Sequence, residues 1–535
     1  MSDLLNTNLF ATVSTALLIG TALTDTSSAQ NPFDAGLRWT HQAPAAEPWI
    51  PEGVCFSGSD NLVFAAAKGS PARYMLLDSE GATWQDPRFL DVGLQGAIGS
   101  VAVTAGARAD RQFTVAQFAS PTLYERRTEV TRHDAISAAS GGAYAPRWFH
   151  DMLVRTNGPA RVCSDELGQT VVAAIWLDGD STVQLDFLEG DSGTLTNRIT
   201  VNGAALNALA ISRDGSRVAL TAGIDFYVFD HQGETLFHEI LNDATQALSM
   251  DATGDTIILG GRAQLGVFSS DRGVYAFSGS LNRPVSDYAL RAAVSDDGST
   301  IAVAWWNGVT GVDVTFELWT FPGMRRLQQF VVPGVDGGLQ NLPVDVRLTA
   351  DGQRALFASW GNDNEDPEVL LVDRDRSQPV LEIDLPGSPR SIDLDATGTR
   401  VVVGHKDTHA NQPSQTGAIR MYDTGERELA LVGTPEVGGT LHLAAQHPAQ
   451  GNIFFLFGPR AAPTIIGNAG LLHLDRQALN IYVRASDSQG RADFIEQIPN
   501  DPALVGWTNS VQVAFRLPGA LLLGETVLDP LLLND

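Results

Sequence analysis

The pattern of apolar and polar positions repeats along the chain between residues 161 and 424. Each repeat has a short apolar strand, a polar turn with Gly, a second apolar strand, a third strand that often ends in Asp, and a more polar fourth strand. Four copies of its first half are 208–220 (ALAISRDGSRVAL), 291–303 (RAAVSDDGSTIAV), 346–357 (VRLTADGQRALF) and 391–403 (SIDLDATGTRVVV). This pattern predicts a series of small four-stranded sheets.

The glycines of the first turn give the period of the repeat. They are Gly168, Gly215, Gly254, Gly298, Gly352 and Gly398, and successive glycines are 47, 39, 44, 54 and 46 residues apart. Gly is expected here because it adopts the positive φ that a tight turn requires. A repeat of this length with several short strands is typical of a β-propeller, an all-β architecture that serves many unrelated activities.

Two weaker units precede the clear repeats, at residues 54–67 and 100–118. Counting them gives eight blades, with seven as the alternative, because terminal repeats are often atypical. Residues 37–41 (LRWTH) look like a fourth strand without a blade of its own. We expect this segment to pair with the last blade and to close the ring, which would remove the exposed sheet edges.

The repeats resemble those of WD40-like and YVTN-type bacterial propellers. The resemblance covers most of residues 37–430 and includes third strands that end in an aromatic residue and Asp, as in Phe229-Asp230 and Tyr422-Asp423. The Gly-His and Trp-Asp dipeptides of WD40 repeats are missing from nearly every unit. The resemblance therefore implies the scaffold and leaves the function open.

After about residue 435 the repeat stops, and alternating segments separated by turns rich in Gly, Pro, Asn and Asp predict a small β-sandwich. The runs 487–492 (DSQGRA) and 498–506 (IPNDPALVG) resemble a C-terminal module found on large secreted bacterial proteins. That resemblance implies an exported protein and brings no catalytic residues with it. A plain capping sandwich packed on the propeller is the alternative.

The N-terminus predicts export. Residues 9–23 (LFATVSTALLIGTAL) are apolar over the length of a signal peptide, and Ser27, Ser28 and Ala29 are small enough to precede a cleavage site. The first ten residues contain Asp3 and no Lys or Arg, so an uncleaved anchor is the alternative. The expected organisation is a signal peptide at 1–29, a propeller at 30–434 and a sandwich at 435–535, in a secreted, periplasmic or cell-surface protein. No later run is apolar enough to cross a membrane.

The charge balance limits the partners. The chain has 62 acidic and 35 basic residues and a net charge of −27, so nucleic acid and anionic membrane surfaces would be repelled.

The two cysteines, Cys55 and Cys163, fall on the first strands of different blades with another blade between them. That separation should exceed the distance that a disulfide spans, so we expect two buried free thiols.

Candidate binding residues lie in the loops that follow the second strand of each unit. Such loops share one face of a propeller, and here they combine tryptophans with carboxylates and histidines, as a protein, peptide or glycan site would require. The candidates are Trp176, Asp178, Trp305, Trp306, Asp313, Trp360, Asp363, His405 and His409. Because Trp176, Trp306 and Trp360 align at one blade position, packing between blades is the alternative.

The sequence contains no recognisable set of catalytic or metal-binding residues, and no cofactor is predicted. His405 and His409 are four apart, but they fall where a strand runs into a loop, so the spacing does not indicate a metal site. Asp363, Glu365 and Asp366 supply the oxygen ligands that Ca²⁺ prefers without the spacing of an EF-hand. These three residues are the candidate calcium site, and a solvated acidic loop is the alternative.

Two functional hypotheses follow. The first is an exported, non-catalytic scaffold that binds a protein, peptide or glycan on its loop face. The second is a propeller enzyme, either a quinoprotein-type oxidoreductase or a lyase or hydrolase, with its site at the channel mouth. Charged residues that converge on the axis with shifted pKa values would favour the enzyme, and a mouth lined by apolar and amide groups would favour binding. The oligomeric state stays open.

Overall fold

The computed structural model shows an all-β protein. It describes residues 35–46, 48–57, 62–69, 73–77, 83–85, 101–105, 112–119, 126–133, 146–152, 159–177, 181–271, 273–309, 313–334, 340–362, 366–426, 428–433, 435–447, 451–465, 471–488, 490–504, 509–517 and 520–528. Within these ranges one turn of 3-10 helix, Pro502–Leu504, is the only helix, and no helix is long and apolar enough to span a membrane. The predicted signal peptide, residues 1–29, lies outside them.

Between Gly36 and Asp423 the described strands form eight four-stranded antiparallel sheets. The first four sheets contain, in order, Trp49–Ser57 (β2), Leu62–Gly69 (β3), Arg73–Leu77 (β4) and Thr83–Gln85 (β5); Val101–Ala105 (β6), Gln112–Ala119 (β7), Arg126–His133 (β8) and Pro146–Asp151 (β9); Ala160–Ser164 (β10), Thr170–Leu177 (β11), Thr182–Glu189 (β12) and Leu195–Asn202 (β13); Leu206–Ile211 (β14), Arg217–Ala222 (β15), Asp225–Asp230 (β16) and Thr235–Ile240 (β17).

The other four sheets contain Ala247–Met250 (β18), Thr256–Gly260 (β19), Gln264–Asp271 (β20) and Val274–Asn282 (β21); Asp287–Val294 (β22), Thr300–Asn307 (β23), Val314–Thr320 (β24) and Arg325–Val332 (β25); Pro343–Leu348 (β26), Arg354–Ser359 (β27), Val369–Asp373 (β28) and Leu381–Ile383 (β29); Pro389–Leu394 (β30), Arg400–Lys406 (β31), Gly417–Asp423 (β32) and, from the start of the chain, Gly36–Gln42 (β1).

The segment predicted to close the ring does pair with the last sheet. β1 runs antiparallel to β32, with Leu37 opposite Tyr422 and His41 opposite Ile419. Trp39 is buried in an apolar cluster that joins this sheet to the first one, where it meets Trp49 and other side chains. The N-terminal strand therefore supplies the fourth strand of a sheet whose other strands come from the far end of the repeat.

The sheets are arranged as in a β-propeller. The first strand of each sheet contacts the first strand of the next, and β30 of the last sheet contacts β2 of the first. The cores lie between neighbouring sheets, which is why the second strands are buried on both faces and are rich in Val, Ile, Leu and Ala. This arrangement confirms the all-β propeller expected from the repeat.

The turn glycines have the predicted backbone conformation. All six have φ between +61° and +74°. The turn after β22 shows why the neighbouring residues are polar: the Ser295 hydroxyl donates to the Asp297 carboxylate at 2.6 Å and accepts from the Thr300 amide at 3.0 Å. Asp297 also accepts a hydrogen bond from the amide of Ser299, so the Asp of this Asp-Gly pair stabilises the turn.

The C-terminal strands form separate sheets. They are Leu429–Leu431 (β33), Thr440–Gln446 (β34), Asn452–Gly458 (β35), Arg460–Ile465 (β36), Leu471–Leu474 (β37), Asn480–Ala485 (β38), Arg491–Gln497 (β39), Ser510–Leu517 (β40) and Ala520–Leu528 (β41). The β33-β34-β39 sheet and the β38-β35-β40-β41 sheet share one apolar core, and β36 pairs with β37. Pairing here begins at Leu429, before residue 435, where the sequence placed the start of this unit.

Both cysteines are free, as expected. Cys55 on β2 is buried, whereas Cys163 on β10 is only half-buried, and its thiol lies 3.8 Å from the carbonyl oxygen of Val172. Burial raises the pKa of both thiols, and the charge of Asp393 raises that of Cys55 further. Neither thiol is therefore an activated nucleophile.

Candidate functional site

One face of the propeller carries the loops between second and third strands. Because neighbouring strands are antiparallel, the connections that lead into each first strand lie at the same end. In the sixth sheet the two kinds of loop touch, since the Gly308 amide donates to the Ser286 carbonyl at 2.7 Å. We call this end the loop face, as it is the one on which the sequence placed the candidate residues.

Trp306 belongs to a partly exposed patch on the loop face. Its ring lies 5.7 Å from that of Tyr288, and the Arg262 guanidinium lies over Tyr288 at 5.9 Å. Beside them Val285 is 70% exposed and Val309 is 80% exposed. We call Val285, Tyr288, Trp306 and Val309 the Trp306 patch.

Trp305, the neighbour of Trp306, is buried. It is 2% exposed and packs among apolar side chains of the fifth and sixth sheets, with the Arg283 guanidinium 5.4 Å from its ring. Successive residues of a strand point to opposite sides, so only one of the two tryptophans reaches the loop-face patch. The expectation that Trp305 contacts a ligand does not fit its burial.

His405, near the end of β31, and His409, in the loop that follows, are both buried and bond main-chain groups. His409 accepts from the Asn411 amide on Nδ1 at 3.2 Å, so its Nε2 carries the proton and donates to the Gly361 carbonyl at 3.2 Å. His405 is fully buried, and Nδ1 lies 3.1 Å from the Lys406 carbonyl; desolvation lowers its pKa. Both side chains stabilise the loop, and neither reaches its surface.

Trp360 and Trp176 pack between neighbouring sheets. Trp360 is half-buried and meets His409 of the next sheet edge-on, with ring centroids 6.3 Å apart. Trp176 is half-buried against the core between the third and fourth sheets. They occupy the blade position of Trp306, as the alignment predicted, but among the described residues only Trp306 lies beside strongly exposed apolar side chains.

The structure describes two of the acidic candidates, Asp313 and Asp366. Asp313 is exposed and accepts from the Gly334 amide at 3.1 Å, and Asp366 accepts from the Asn362 side chain at 3.0 Å. Asp178, Asp363 and Glu365 lie outside the described residues. Asp366 is therefore the one calcium candidate whose surroundings the structure describes. Among the residues that are described, no three His, Cys, Asp or Glu side chains form a group that could hold a metal ion.

The residues of the first strands, around the central axis, are not among the candidates that the sequence indicated. In every sheet, one first-strand residue pairs with the residue 13 positions later on the second strand, as Arg161 does with Ala174 and Arg291 with Ala304. The eight equivalent residues are Gly53, Ala102, Arg161, Ala208, Ala247, Arg291, Asp345 and Ser391. We call this set the arginine level. Aligning the repeats from their turn glycines would have revealed it.

Two residues further along, a charged network joins the last two sheets. Arg347 bonds Asp345 at 3.0 Å and lies 3.4 Å from Asp393, which accepts from the Phe56 amide at 2.8 Å. Desolvation raises the pKa of Asp393 to about 6, although Arg347 opposes the shift. The charge of Asp345 raises the pKa of Arg347. Charged groups with shifted pKa values therefore do occur near the axis.

Replacing Asp393 with Asn should change how stability depends on pH. The pKa of Asp393 is 3.8 in the unfolded chain and about 6 in the folded one, so the folded state binds more protons between about pH 4 and 6. The contribution of Asp393 to the free energy of unfolding therefore falls as the pH rises through that window. Asp393→Asn removes this dependence. Between pH 4 and pH 8, the free energy of unfolding of the variant should rise by up to about 3 kcal/mol relative to that of the unsubstituted protein.

Urea denaturation of both proteins at the two pH values measures this difference. Asp375→Asn is the control, since that side chain is 76% exposed and should leave the dependence unchanged. Equal pH dependence in the unsubstituted protein and Asp393→Asn would show that Asp393 ionises normally.

No family model matches the chain, and no curated protein matches it. Solved structures of Sqt1 from Chaetomium thermophilum, a WD40 β-propeller protein, do match. Two of them have TM-scores of 0.51 and 0.52 at 13% identity, covering 70% and 74% of this chain and 97% and 99% of theirs. The third, Sqt1 bound to the N-terminus of the ribosomal protein L10, has a TM-score of 0.50 at 14% identity and covers 71% and 98%. At such identities the similarity shows a WD40-like β-propeller fold.

Proposed function

We propose that this chain is an exported, non-catalytic scaffold whose eight-bladed propeller binds a protein or peptide through the Trp306 patch on its loop face. The propeller would occupy residues 30–434, after a signal peptide at 1–29 and before a sandwich at 435–535. Eight sheets with first strands in cyclic contact support the blade number. The shared core of the two larger C-terminal sheets supports the sandwich. Export rests on residues 9–23 and Ala29 alone.

The observation that carries the proposal is the exposure of the Trp306 patch. Val309 and Val285 present apolar surface beside two aromatic rings and Arg262, the residue types that protein interfaces favour. Gly308 keeps the loop tight against Tyr288, since a Cβ there would come 2.7 Å from the ring. A larger residue at position 308 would therefore push the loop away from Tyr288. Sqt1 bound to a protein N-terminus gives a precedent for a peptide partner on this fold.

A peptide library screened against the full chain tests the proposal. For a peptide that binds, Val309→Asp should raise Kd by about tenfold or more, because a charge would be buried where an apolar contact forms. Val274→Asp is the matched control. Val274 is 72% exposed but begins β21, at the end of its sheet opposite the loop face.

Unchanged affinity in Val309→Asp and Trp306→Ala, with every peptide still bound, would place the binding surface elsewhere. Equal weakening by Val274→Asp would show that the effect is not local. A glycan that binds in place of any peptide, with the same dependence on Trp306, would keep the patch and change the class of partner.

The network of Asp345, Arg347 and Asp393 favours the second candidate, a lyase or hydrolase with its site near the axis. An acid whose pKa lies near 6 suits general acid–base chemistry. The carboxylates are already engaged by Arg347 and by main-chain amides, and both thiols are inactive, so the binding role is preferred. Turnover of a substrate that Asp393→Asn abolishes would reverse this preference.

A further inference from the structure

The outer strands of the propeller are poor templates for another chain. An edge strand exposes unpaired N–H and C=O groups, and proteins protect such edges with bulges, very short strands or charges. In six of the eight sheets the register between the third and the outer strand shifts by one residue, as at a β-bulge. The outer strands of the other two sheets, β5 and β29, have only three residues each. Each described blade edge therefore has one of these protective features.

The edge strand β38 of the C-terminal unit lacks a bulge and is not short. It pairs with β35 on one side and with no described strand on the other. Its register with β35 is unbroken from Asn480 to Ala485, and it contains neither Pro nor Lys. Three successive side chains, Ile481, Tyr482 and Val483, are 36–42% exposed. Because alternate residues of an antiparallel strand direct their N–H and C=O groups away from its partner, the outer edge of β38 is open to a further strand.

Both faces of β38 offer apolar surface to such a strand. The Tyr482 ring lies on the side of the shared core, 5.4 Å from the ring of Phe457 and 5.0 Å from that of Phe494. Ile481 and Val483 point to the opposite face, since successive side chains of a strand alternate. An added strand would cover the part of these three side chains that β35 leaves exposed.

The charges around β38 favour an acidic partner. Arg476 precedes the strand and Arg484 lies near its end, and residues 476–486 contain no acidic residue although the whole chain has 62 against 35 basic ones. Within the described part of the chain neither arginine forms a salt bridge. Arg484 lies over the Phe494 ring at 5.3 Å and donates from Nη1 to the Val483 carbonyl at 3.1 Å. Its other N–H groups and those of Arg476 suit carboxylates.

A second copy of this chain fits the edge less well. Pairing β38 with its own copy would bring the arginines of both edges together, and each copy has a net charge of −27. The carboxylates that flank the segment are engaged by main-chain amides, Asp475 by that of Gln477 and Asp487 by that of Arg491, both at 2.9 Å. A separate acidic segment meets the two arginines without this repulsion.

We propose that the outer edge of β38 binds an extended acidic segment of another protein, which joins the four-stranded sheet as a fifth strand. Main-chain hydrogen bonds supply the pairing, apolar side chains of the segment cover Ile481, Tyr482 and Val483, and its carboxylates meet Arg476 and Arg484. This surface is separate from the Trp306 patch, so either one can fail without the other.

Fluorescence anisotropy of the full chain with two labelled peptides tests the proposal. The acidic peptide EETVTVTVEE should bind, and KKTVTVTVKK, which has the same centre, should bind about tenfold more weakly or not at all. The double variant Arg476→Glu/Arg484→Glu should raise Kd of the acidic peptide about tenfold or more and should bind the lysine peptide instead. Arg325→Glu, the same charge reversal on the bulged outer strand β25, should change neither.

Hydrogen exchange locates the bound peptide. The acidic peptide should slow amide exchange in residues 480–485 and leave β25 unchanged, and it should do so equally in Val309→Asp, whose substitution lies in the Trp306 patch. No binding of the acidic peptide, equal binding of both peptides, or protection outside β38 would overturn the proposal. Dimers in light scattering that Val483→Asp abolishes would assign the edge to a second copy and would also overturn it.

Discussion

Trp305→Ala is expected to lower the free energy of unfolding by about 3–5 kcal/mol, the usual cost of truncating a buried large aromatic residue. Trp305 is 2% exposed and fills space between the fifth and sixth sheets together with Ile258, Leu265 and Val303. Removing the indole leaves a cavity that strands paired on both sides cannot close. Urea denaturation at pH 7 measures the change.

Trp306→Ala is the matched control, because the same side chain is removed from the next position on the same strand. Trp306 is half-buried and touches Tyr288 at the loop face, so its loss should cost about 1 kcal/mol or less. Equal destabilisation by both substitutions would mean that Trp306 is also part of the core. A Trp305→Ala protein of unchanged stability that no longer binds its peptide would return Trp305 to the binding site.

Removing the closing strand is expected to have the other large effect. A chain that starts at Ala43 lacks β1, and with it the ladder to β32 and the buried indole of Trp39. The indole alone should contribute about 3–5 kcal/mol and each ladder hydrogen bond about 1 kcal/mol, so we expect a loss of more than 5 kcal/mol. A thermal unfolding scan against a chain that starts at Ala35 measures it.

The shortened chain also exposes a sheet edge at β32, and an exposed edge pairs readily with another chain. We therefore expect dimers or larger species in light scattering, whereas the chain starting at Ala35 should keep its size. A synthetic peptide with the sequence of residues 36–42 should restore part of the lost Tm. A shortened chain with unchanged Tm and size would show that ring closure does not depend on this strand.

Several features could be predicted because each depends on local or periodic information. The positive φ of Gly298 follows from a two-strand turn, and the pairing of residues 37–41 with the last sheet follows from counting strands per unit. The free state of Cys55 and Cys163 follows from their assignment to different blades. In each case the repeat alone locates the residue within its sheet.

The candidate site could be predicted only in part. Trp306 and Trp305 differ by one position, and a strand covered on both faces gives no sequence signal for which of two neighbouring apolar residues is accessible. His405 and His409 are polar in sequence but buried in the structure, where one ring nitrogen of each lies within hydrogen-bonding distance of a main-chain carbonyl. Loop residues were therefore assigned by position, and their exposure was decided by packing.

The sequence by itself determined the propeller repeat, the turns and the strand that closes the ring, since periodicity and backbone preference fix these without reference to distant residues. Tertiary structure alone decided which side chains meet. Asp393 on the last sheet lies 3.4 Å from Arg347 of the preceding sheet and accepts a hydrogen bond from the Phe56 amide of the first sheet, because cyclic packing brings neighbouring first strands into contact. Convergence of this kind is a property of the closed ring, and no single repeat contains it.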